Sequence, residues 1–547
     1  MNKIIRFHNL LNQTEKKKSY KLFLFIIVNN LAELLSIGML IAAVLMLLDE
    51  KNQTFFLLNN YFNFEISTNN YYIYIVFFLT FSFFLKNIIS FQLYKYQFNF
   101  FKRVKRRITF DLFKHYINQP YKFFFEKNSS ELLRNISIAA EYNLILSSLF
   151  MFYAEIILII ILFGMLLLVN PLVTLYCLLF YSILGSLFHF KLRKRVEKLG
   201  KRKLILEGSI NKSTLETFHS IKEIQLYESE NFFKNFFLKL ITEYSIAEKK
   251  VAVFQQIPKL AFELAFVLGI SFILIYVNYF NFTKSDYIIP LTAISLISIR
   301  LIPSISRIVA GLQRLKYYYP NIILLNEEFK KKFAEEKEQN NLLYKLDEFK
   351  ELSVSNLNFQ YDNNKNHILL KNLNFEIKRG DIFGIYGKSG SGKSTIIHMI
   401  TGLFKPNSGE IRINSKNINQ VSIPWKKKIG YVPQSVYLFD DTILNNIVFD
   451  SKEVDFDLLN KCLNISELKG FVENLPNEEN TIVGENSLKI SGGQKQMIGI
   501  ARALYKRPEL LILDEATVSL DEKTREKIFK NFEELKKDSI TIIIISH

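Results

Sequence analysis

Six stretches in the N-terminal part of the sequence are apolar enough to cross a bilayer as helices, which takes about 20 residues each. They lie near residues 21–48, 71–97, 143–170, 171–190, 251–280 and 286–309. Only Asn170 and Pro171 separate the third stretch from the fourth, which predicts a tight hairpin with the proline in the first turn of its second helix. The pattern predicts an all-α membrane domain of six transmembrane helices.

The composition agrees with a membrane domain. Of the 547 residues, 49% are hydrophobic and 14% aromatic, and the mean hydropathy of +0.11 is high for a soluble protein. The basic, polar N-terminus has no signal peptide with a cleavage site. Cys177 and Cys462 stand in unlike contexts, so they predict neither a disulfide framework nor a metal site and fit a reducing compartment.

The positive charges follow the apolar stretches in a regular pattern. Basic runs come after the second and fourth stretches, at 102–107 and 191–203, whereas 49–70 and the loop between the last two stretches hold one basic residue each. The positive-inside rule therefore places both termini and segments 98–142 and 191–250 in the cytosol. Because the runs alternate with the spans, the formal charge of +18 predicts topology and not a nucleic-acid partner.

The pattern changes after the sixth span. Hydrophobicity falls over residues 310–349, and from about residue 350 short β-like runs alternate with glycine-rich turns, as in a soluble α/β domain. We therefore predict a six-span domain at 1–325, a charged linker at 326–349 and an α/β domain at 350–547.

Residues 387–394 read GKSGSGKS and match the GxxxxGK[ST] phosphate-binding loop. The apolar run 382–386 before it fits a buried strand, and the residues after it fit a helix. Glycines allow backbone N–H groups to surround phosphates, and a helix N-terminus adds positive potential. Lys393 is expected to reach the β- and γ-phosphates, and the Ser394 hydroxyl is expected to bind Mg²⁺.

A second apolar run, 510–513, ends in Asp514 and Glu515. Acids at the carboxyl end of a parallel strand lie beside a phosphate-binding loop in sheets of this type. We expect Asp514 to hold Mg²⁺ and Glu515 to polarise the attacking water. A further β-branched run, 541–545, ends in Ser546 and His547, and a histidine there can reach a γ-phosphate.

The segment Ile490–Gln494 resembles the ABC signature, with isoleucine in place of the usual leucine. Other motifs of that family follow its order: Tyr361 as adenine-stacking aromatic, Gln434 in the Q-loop, 481–485 before the signature, 519–521 as D-loop and His547 as switch histidine. The resemblance covers about 350–547 and implies an α/β P-loop NTPase domain. Family members continue beyond the switch histidine, so the sequence is expected to be truncated there.

The resemblance implies a role for each matching residue. The nucleotide-binding residues are Tyr361, Gly387, Lys388, Ser389, Gly390, Ser391, Gly392, Lys393, Ser394, Thr395, Ser491, Gly492, Gly493 and Gln494. Mg²⁺ is assigned to Ser394, Gln434 and Asp514, and catalysis to Glu515, His547 and Gln434. ATP would lie between the P-loop of one copy and the signature of another, so the chain needs a partner, most simply a second copy of itself in a C₂ dimer.

The membrane half is similar to exporter-type ABC proteins, which implies the type I exporter fold, a half transporter. Two cytosolic stretches, 119–125 and 215–224, match the coupling regions of that family. Ionisable residues inside spans are costly and suggest function, and the candidates are Glu33, Lys86, Glu155, Glu263 and Arg300. Arg300, Arg307 and Arg314 share one helix face, which suits an anionic head group; the alternative is that they snorkel to lipid phosphates.

Four segments of the membrane half are similar to those of bacterial flippases for lipid-linked oligosaccharides: 32–38, 130–136, 300–304 together with 307–308, and 317–319. The resemblance implies ATP-driven export of a lipid-linked substrate across the plasma membrane, with Glu33, Arg300 and Arg307 in the substrate cavity. An exporter of drugs, peptides or simple lipids would use the same ATPase. An ATP-gated channel or regulator is a third reading, which intact Glu515 and His547 disfavour.

Overall fold

The computed structural model describes residues 10–48, 71–169, 171–279, 284–339, 346–361, 369–450, 453–484, 490–537 and 539–546. The chain divides into two compact units. One consists of Met1–Gln119 and Lys127–Glu335, and the other of Pro120–Glu126 and Glu336–His547. We call them the helical unit and the nucleotide unit and describe each by itself.

The described part of the helical unit consists of helices. They are α1 (Gln13–Leu48), α2 (Tyr71–Ile117), α4 (Ser129–Ala140), α5 (Tyr142–Val169), α6 (Pro171–His219), α7 (Ile221–Leu226), α8 (Glu230–Tyr279), α9 (Lys284–Tyr317) and α10 (Tyr319–Gln339). Each predicted span falls within one of six helices, α1, α2, α5, α6, α8 and α9, apart from a residue or so at its end. In the described part, four segments meet the length and hydropathy of a membrane span: Gln13–Leu40, Val76–Ile117, Ser129–Gly164 and Glu230–Phe272.

Three helices are much longer than a bilayer requires. Helices α2, α6 and α8 have 47, 49 and 50 residues, which at about 1.5 Å per residue is roughly twice the hydrocarbon thickness of about 30 Å. They therefore continue beyond the membrane, as the sequence predicts. Two six-residue helices, α3 (Tyr121–Glu126) and α7, interrupt the chain in the predicted coupling regions.

The core of the helical unit lies around α9, which packs against α5, α6 and α8. Leu162 of α5, Phe262 of α8 and Leu301 of α9 are buried in one apolar cluster. Beyond the spans, Gly200 of α6 lies against the end of α9, where an added Cβ would come 2.1 Å from the Tyr317 carbonyl oxygen. A side chain at position 200 would therefore separate these two helices.

Large apolar side chains remain exposed on the outer faces of the helices. Phe84 and Phe91 of α2 and Leu264 of α8 are 64%, 65% and 62% exposed. Soluble monomers rarely expose continuous apolar surfaces of this kind, so lipid or a second chain must cover them.

The described part of the nucleotide unit contains three sheets. Its strands are β1 (Glu351–Phe359), β2 (Leu370–Lys378), β3 (Ile382–Tyr386), β4 (Ser408–Ile413), β5 (Lys416–Asn417), β6 (Ile429–Val432), β7 (Asp441–Thr442), β8 (Ile482–Val483), β9 (Leu510–Asp514) and β10 (Thr541–Ser546). Strands β2-β1-β4-β5 form an antiparallel sheet, β3-β10-β9-β6 a parallel sheet, and β7-β8 a short pair.

Helices pack around these sheets. They are α11 (Lys393–Ile400), α12 (Ile418–Lys426), α13 (Ile443–Val448), α14 (Phe456–Ile465), α15 (Lys469–Glu473), α16 (Gly492–Tyr505) and α17 (Glu522–Lys537), with a 3₁₀ turn at Glu478–Asn480. Strand β9 is buried along its whole length and pairs in parallel with β10 and β6. Because parallel strands end at the same edge, their carboxyl ends bring the loops after β3, β6 and β9 together.

Candidate functional site

The loop after β3 forms the predicted phosphate cradle. Gly390 and Gly392 adopt φ angles of +80° and +91°, which favour glycine, and Gly392 caps α11 in the left-handed conformation. A Cβ on Gly392 would also approach Leu370 to 3.0 Å. The Lys393 ammonium donates a 2.6 Å hydrogen bond to the Gly387 carbonyl, so the lysine side chain lies across the loop.

Tyr361 lies beside the start of α11. Its hydroxyl and the Thr395 hydroxyl are 2.7 Å apart. Its ring meets Phe359 and Phe404 edge-on, with centroids 5.1 and 5.9 Å away, yet the residue stays 47% exposed. An exposed aromatic ring next to a phosphate cradle is suited to stack on a nucleotide base.

Two acids follow β9 and differ in environment. Asp514 is buried, its carboxylate accepts a 3.1 Å hydrogen bond from the Tyr431 hydroxyl, and burial raises the pKa of Asp514. Glu515 has a φ of +52° and accepts a 2.6 Å hydrogen bond from the Gln434 amide. The structure therefore brings Gln434 and Glu515 together, although they are far apart in the sequence.

The residues present fit a magnesium ion that arrives with a nucleotide. No cluster of three or more His, Cys, Asp or Glu side chains that could hold a metal occurs in the part of the chain that the structure describes. Mg²⁺ usually keeps waters and binds through one or two protein groups and substrate phosphates. Asp514, whose burial disfavours its charge, and the exposed Ser394 hydroxyl would supply those two groups.

The signature segment begins α16. Ser491 and Gln494 form a capping box: the Ser491 side chain accepts from the Gln494 N–H at 3.2 Å, and the Gln494 side chain accepts from the Ser491 N–H at 2.9 Å. An added Cβ on Gly493 would come 3.0 Å from the Ser519 carbonyl oxygen. The signature thus packs on the predicted D-loop of the same chain.

Gln496 is a connecting residue that sequence reasoning missed. It is buried, accepts a 3.1 Å hydrogen bond from the Ser519 N–H, and lies 3.5 Å from the Glu515 carbonyl oxygen. It therefore joins α16 to the segment after β9. The sequence signal that could have identified Gln496 is its position two residues after the signature, on the face of the helix that is buried.

The predicted nucleotide residues form two groups in one chain. The P-loop, Tyr361, Gln434, Asp514 and Glu515 lie at one edge of the parallel sheet, whereas Ser491–Gln494 begin α16, where Gly492 and Gly493 pack on Ser519. His547 and Glu485 lie outside the described residues. Ser546, the last residue of β10, is in register with Tyr386, which directly precedes the P-loop.

The first predicted coupling stretch is largely part of the nucleotide unit. The Tyr121 ring lies 5.2 Å from the His398 ring, and the Phe125 ring lies 5.4 Å from Phe404 and 6.4 Å from Tyr361. These aromatic contacts bring α3 next to α11 and the predicted base-stacking residue. The sequence did not single out His398, because only its ring contacts in the folded protein distinguish it from other histidines. In the second stretch, Phe218 stays 68% exposed.

A cavity of about 400 Å³ in the helical unit is lined by α1, α2, α5 and α9. Glu33, Arg300 and Arg307 all line it, as does Glu155. Arg300 forms an ion pair with Glu33, and the Arg307 Nε donates a 2.5 Å hydrogen bond to Glu155. The predicted positive stripe is thus neutralised at two of its three arginines, Arg300 and Arg307.

The other ionisable residues predicted within spans do not line this cavity. Glu263 is exposed on α8 and lies 3.8 Å from Lys259, one turn away. Lys86 of α2 is half-buried. Sequence position inside a span therefore did not separate cavity residues from those on the outer faces of helices.

Two family models match different parts of the chain. Residues 370–518 match the family model described as ABC transporter, and residues 20–301, more than half of the chain, match the model of the ABC transporter transmembrane region.

The chain belongs to the ABC transporter family.

Several curated ABC proteins are similar to about a third of this chain. The identity is 37% over 198 residues to ABC transporter B family member 1 of Dictyostelium discoideum, covering 36% of this chain and 22% of that protein. It is 41% over 190 residues to the multidrug resistance-like ATP-binding protein MdlA of Buchnera aphidicola, covering 35% and 33%. The matches thus span about a third or less of these relatives' own length.

A solved structure extends the likeness to nearly the whole chain. A bacterial Atm1-family ABC exporter with ATP bound superposes with a TM-score of 0.76 and 19% identity, covering 98% of this chain and 92% of that one. At this identity the likeness concerns the fold alone. The predicted type I ABC exporter fold, with a helical membrane domain and a P-loop nucleotide-binding domain, is confirmed.

Proposed function

We propose that this ABC transporter chain is the half transporter of an ATP-driven exporter. The observation that carries the proposal is the meeting of Lys393, Asp514 and the Gln434–Glu515 pair at one sheet edge, in a chain that also has a membrane-spanning helical unit. Lys393 would bind the phosphates, Asp514 and Ser394 the Mg²⁺ ion, and Glu515 would orient the attacking water.

The working unit in this proposal is a dimer of identical chains. The exposed Ser491 and Gly492 begin a capped helix, and N–H groups at a helix N-terminus favour phosphate oxygens. In this chain Gly492 packs on Ser519 of the predicted D-loop, and in this proposal a second copy would supply both residues to each ATP. ATP binding would then hold two nucleotide units together, and hydrolysis would release them. ATP drives the cycle only because it binds the closed state more tightly than the open one.

Complementation between two inactive variants tests the dimer. Lys393→Ala removes a phosphate ligand, and Gly492→Asp places a negative charge where the γ-phosphate is expected. In a mixed dimer of the two, both defects fall in one site and the other site is intact. We expect ATPase activity to return when the two variants are mixed. A dimer in which each chain carries both changes should stay inactive. No recovery in verified mixed dimers would refute the composite site.

For the substrate we propose a lipid-linked oligosaccharide, moved from the cytosolic side of the plasma membrane. The cavity in the helical unit supports an amphipathic molecule, because it combines aromatic side chains with polar groups such as Asn29, Asn30 and Gln97. Guanidinium groups bind phosphate oxygens well. A pyrophosphate could therefore replace Glu33 as the partner of Arg300, or Glu155 as the partner of Arg307.

The second candidate substrate class is drugs or simple lipids. It is favoured by the pairing of Arg300 and Arg307 with carboxylates, which leaves the cavity without excess charge. One relative, from Buchnera aphidicola, is named a multidrug resistance-like ATP-binding protein, and another, from Lactococcus lactis, a multidrug resistance ABC transporter ATP-binding and permease protein. Stimulation of ATPase activity by apolar drugs but not by a polyisoprenyl-pyrophosphate glycan would favour this class over the first.

A further inference from the structure

Helix α6 carries a row of five exposed basic residues immediately after its predicted membrane span, 171–190. They are Lys191, Lys194, Arg195, Lys198 and Lys201, and we call this row the basic stripe. At 3.6 residues per turn, all five fall within about 120° of the helix circumference. The stripe therefore occupies one face of α6, along about 15 Å of its axis.

The opposite face of α6 holds the bundle together. Leu192 and Val196 are buried in a cluster with Val251 and Tyr317. Lys203, also on this side, is buried between Glu141 and Glu207, with Nζ–carboxylate distances of 3.2 and 3.0 Å. The basic stripe thus points away from the neighbouring helices of this chain, because the other side of α6 is already covered by them.

The stripe residues are not neutralised by acids in the described part of the chain. Among the described residues, none of the five lies within ion-pair distance of an acid, whereas the next two basic residues, Arg202 and Lys203, pair with Glu243 and with Glu141 and Glu207. The five positive charges are therefore available to an anionic partner.

The same face of α6 changes from apolar to basic at one point. Ile183, Leu187 and Phe190 are 60%, 60% and 69% exposed and fall on the stripe's side of the helix. Lys191 follows directly. A helix face that leaves hydrocarbon and enters a head-group layer requires this order of side chains, whereas a nucleic-acid surface does not require the apolar part.

We propose that the basic stripe binds anionic phospholipid head groups of the leaflet from which α6 emerges. The head-group layer is roughly 5–7 Å thick on each side of the hydrocarbon. Beyond it, the negative surface potential decays over a Debye length of about 8 Å. The 15 Å stripe matches the sum of these two distances, and lysine stems allow the ammonium groups to reach back toward the phosphates. The proposal requires only that α6 spans a membrane and is independent of the transported substrate.

Spin-labelled lipids test the proposal in membranes that contain the full chain. We expect phosphatidylglycerol to associate several-fold more strongly than phosphatidylcholine, and added salt to reduce the difference. Neutralising the five stripe residues to glutamine should remove most of the preference. A matched variant with five neutral residues in α17, at Lys523, Arg525, Lys530, Lys536 and Lys537, should keep it. Equal preference in both variants, or none in the wild type, would overturn the proposal.

Lysine acylation of the wild-type protein gives a second test that needs no variant. Lys191, Lys194, Lys198 and Lys201 should react several-fold more slowly in nanodiscs with phosphatidylglycerol than in those with phosphatidylcholine alone, while Lys523 and Lys530 should not change. Protection by single-stranded RNA and not by phosphatidylglycerol would identify a nucleic-acid surface instead and overturn the proposal. Equal reactivity in the two lipids would also overturn it.

Discussion

At the scale of single residues, the two acids after β9 show how environment separates two similar side chains. Asp514 is buried, whereas Glu515, the next residue, reaches Gln434 through a backbone with φ of +52°. That backbone conformation is costly for a residue with a side chain and persists where the surrounding structure imposes it. The site thus holds one acid suited to a metal and one positioned toward the loop after β6.

Glu515→Gln tests the role of the second acid. We expect ATP binding to stay close to that of the wild type and turnover to fall by about 10²–10⁴-fold, since general-base groups contribute on this scale. Radiolabelled nucleotide binding and phosphate release measure the two quantities. Glu522→Gln, an exposed acid in the first turn of α17, is the control and should keep normal turnover. Wild-type turnover in Glu515→Gln would exclude this role.

His398 gives a pH prediction. Burial lowers its pKa below the unfolded value of about 6.5, so the unfolded chain binds the proton more readily and stability falls as the pH drops through 6.5 and below. We expect His398→Phe to reduce the loss of thermal stability between pH 7.5 and 5.5. The exposed His219→Gln should not change it. An unchanged pH dependence in His398→Phe would contradict the assignment.

At the scale of helices and strands, the sequence was sufficient for most of the fold. The six spans appear within helices because long apolar runs permit few other structures in a bilayer. The extensions of α2, α6 and α8 followed from the continued helical pattern. The sequence did not show that Arg300 and Arg307 pair with acids of α1 and α5, because helix contacts depend on the rotation and offset of whole helices.

A double-mutant cycle on Arg307 and Glu155 tests the contact between α9 and α5. Their side chains are 33% and 12% exposed, so each single change to glutamine leaves a largely buried charge alone. We expect a coupling energy of about 1–3 kcal/mol in unfolding measurements in micelles. The pair Lys259–Glu263, with side chains 52% and 48% exposed, should couple by less than about 1 kcal/mol. Similar coupling in both pairs would contradict the structure.

The side chains of helix α3 allow the predicted coupling role of residues 119–125 to be tested. The rings of Tyr121 and Phe125 contact His398 and Phe404, whereas the Phe124 ring lies 5.4 Å from the Phe123 ring. We expect Tyr121→Ala with Phe125→Ala to lower transport per ATP several-fold while basal ATP hydrolysis continues. Phe124→Ala is the matched control and should leave the ratio unchanged. Equal loss of transport and hydrolysis would indicate simple destabilisation of the nucleotide unit.

At the scale of the whole molecule, the motifs of the nucleotide unit were predictable because the P-loop, the acids after β9 and the signature each require particular residue types at fixed spacing. The bond between Gln434 and Glu515 and the contacts of Gln496 were not, since they join segments about 20 to 80 residues apart. The substrate is the least constrained part. Its cavity depends on a few side chains from four helices, and their sequence pattern alone does not define a ligand.

Transport itself tests the central claim most directly. ATP-dependent flipping of a fluorescent polyisoprenyl-pyrophosphate oligosaccharide would be measured in proteoliposomes, with Glu515→Gln as the inactive control. We expect flipping that requires ATP, disappears in Glu515→Gln and weakens in Arg300→Ala. Robust ATP hydrolysis without flipping of this lipid would contradict the oligosaccharide assignment, and the absence of both activities in the reconstituted dimer would contradict the proposed exporter.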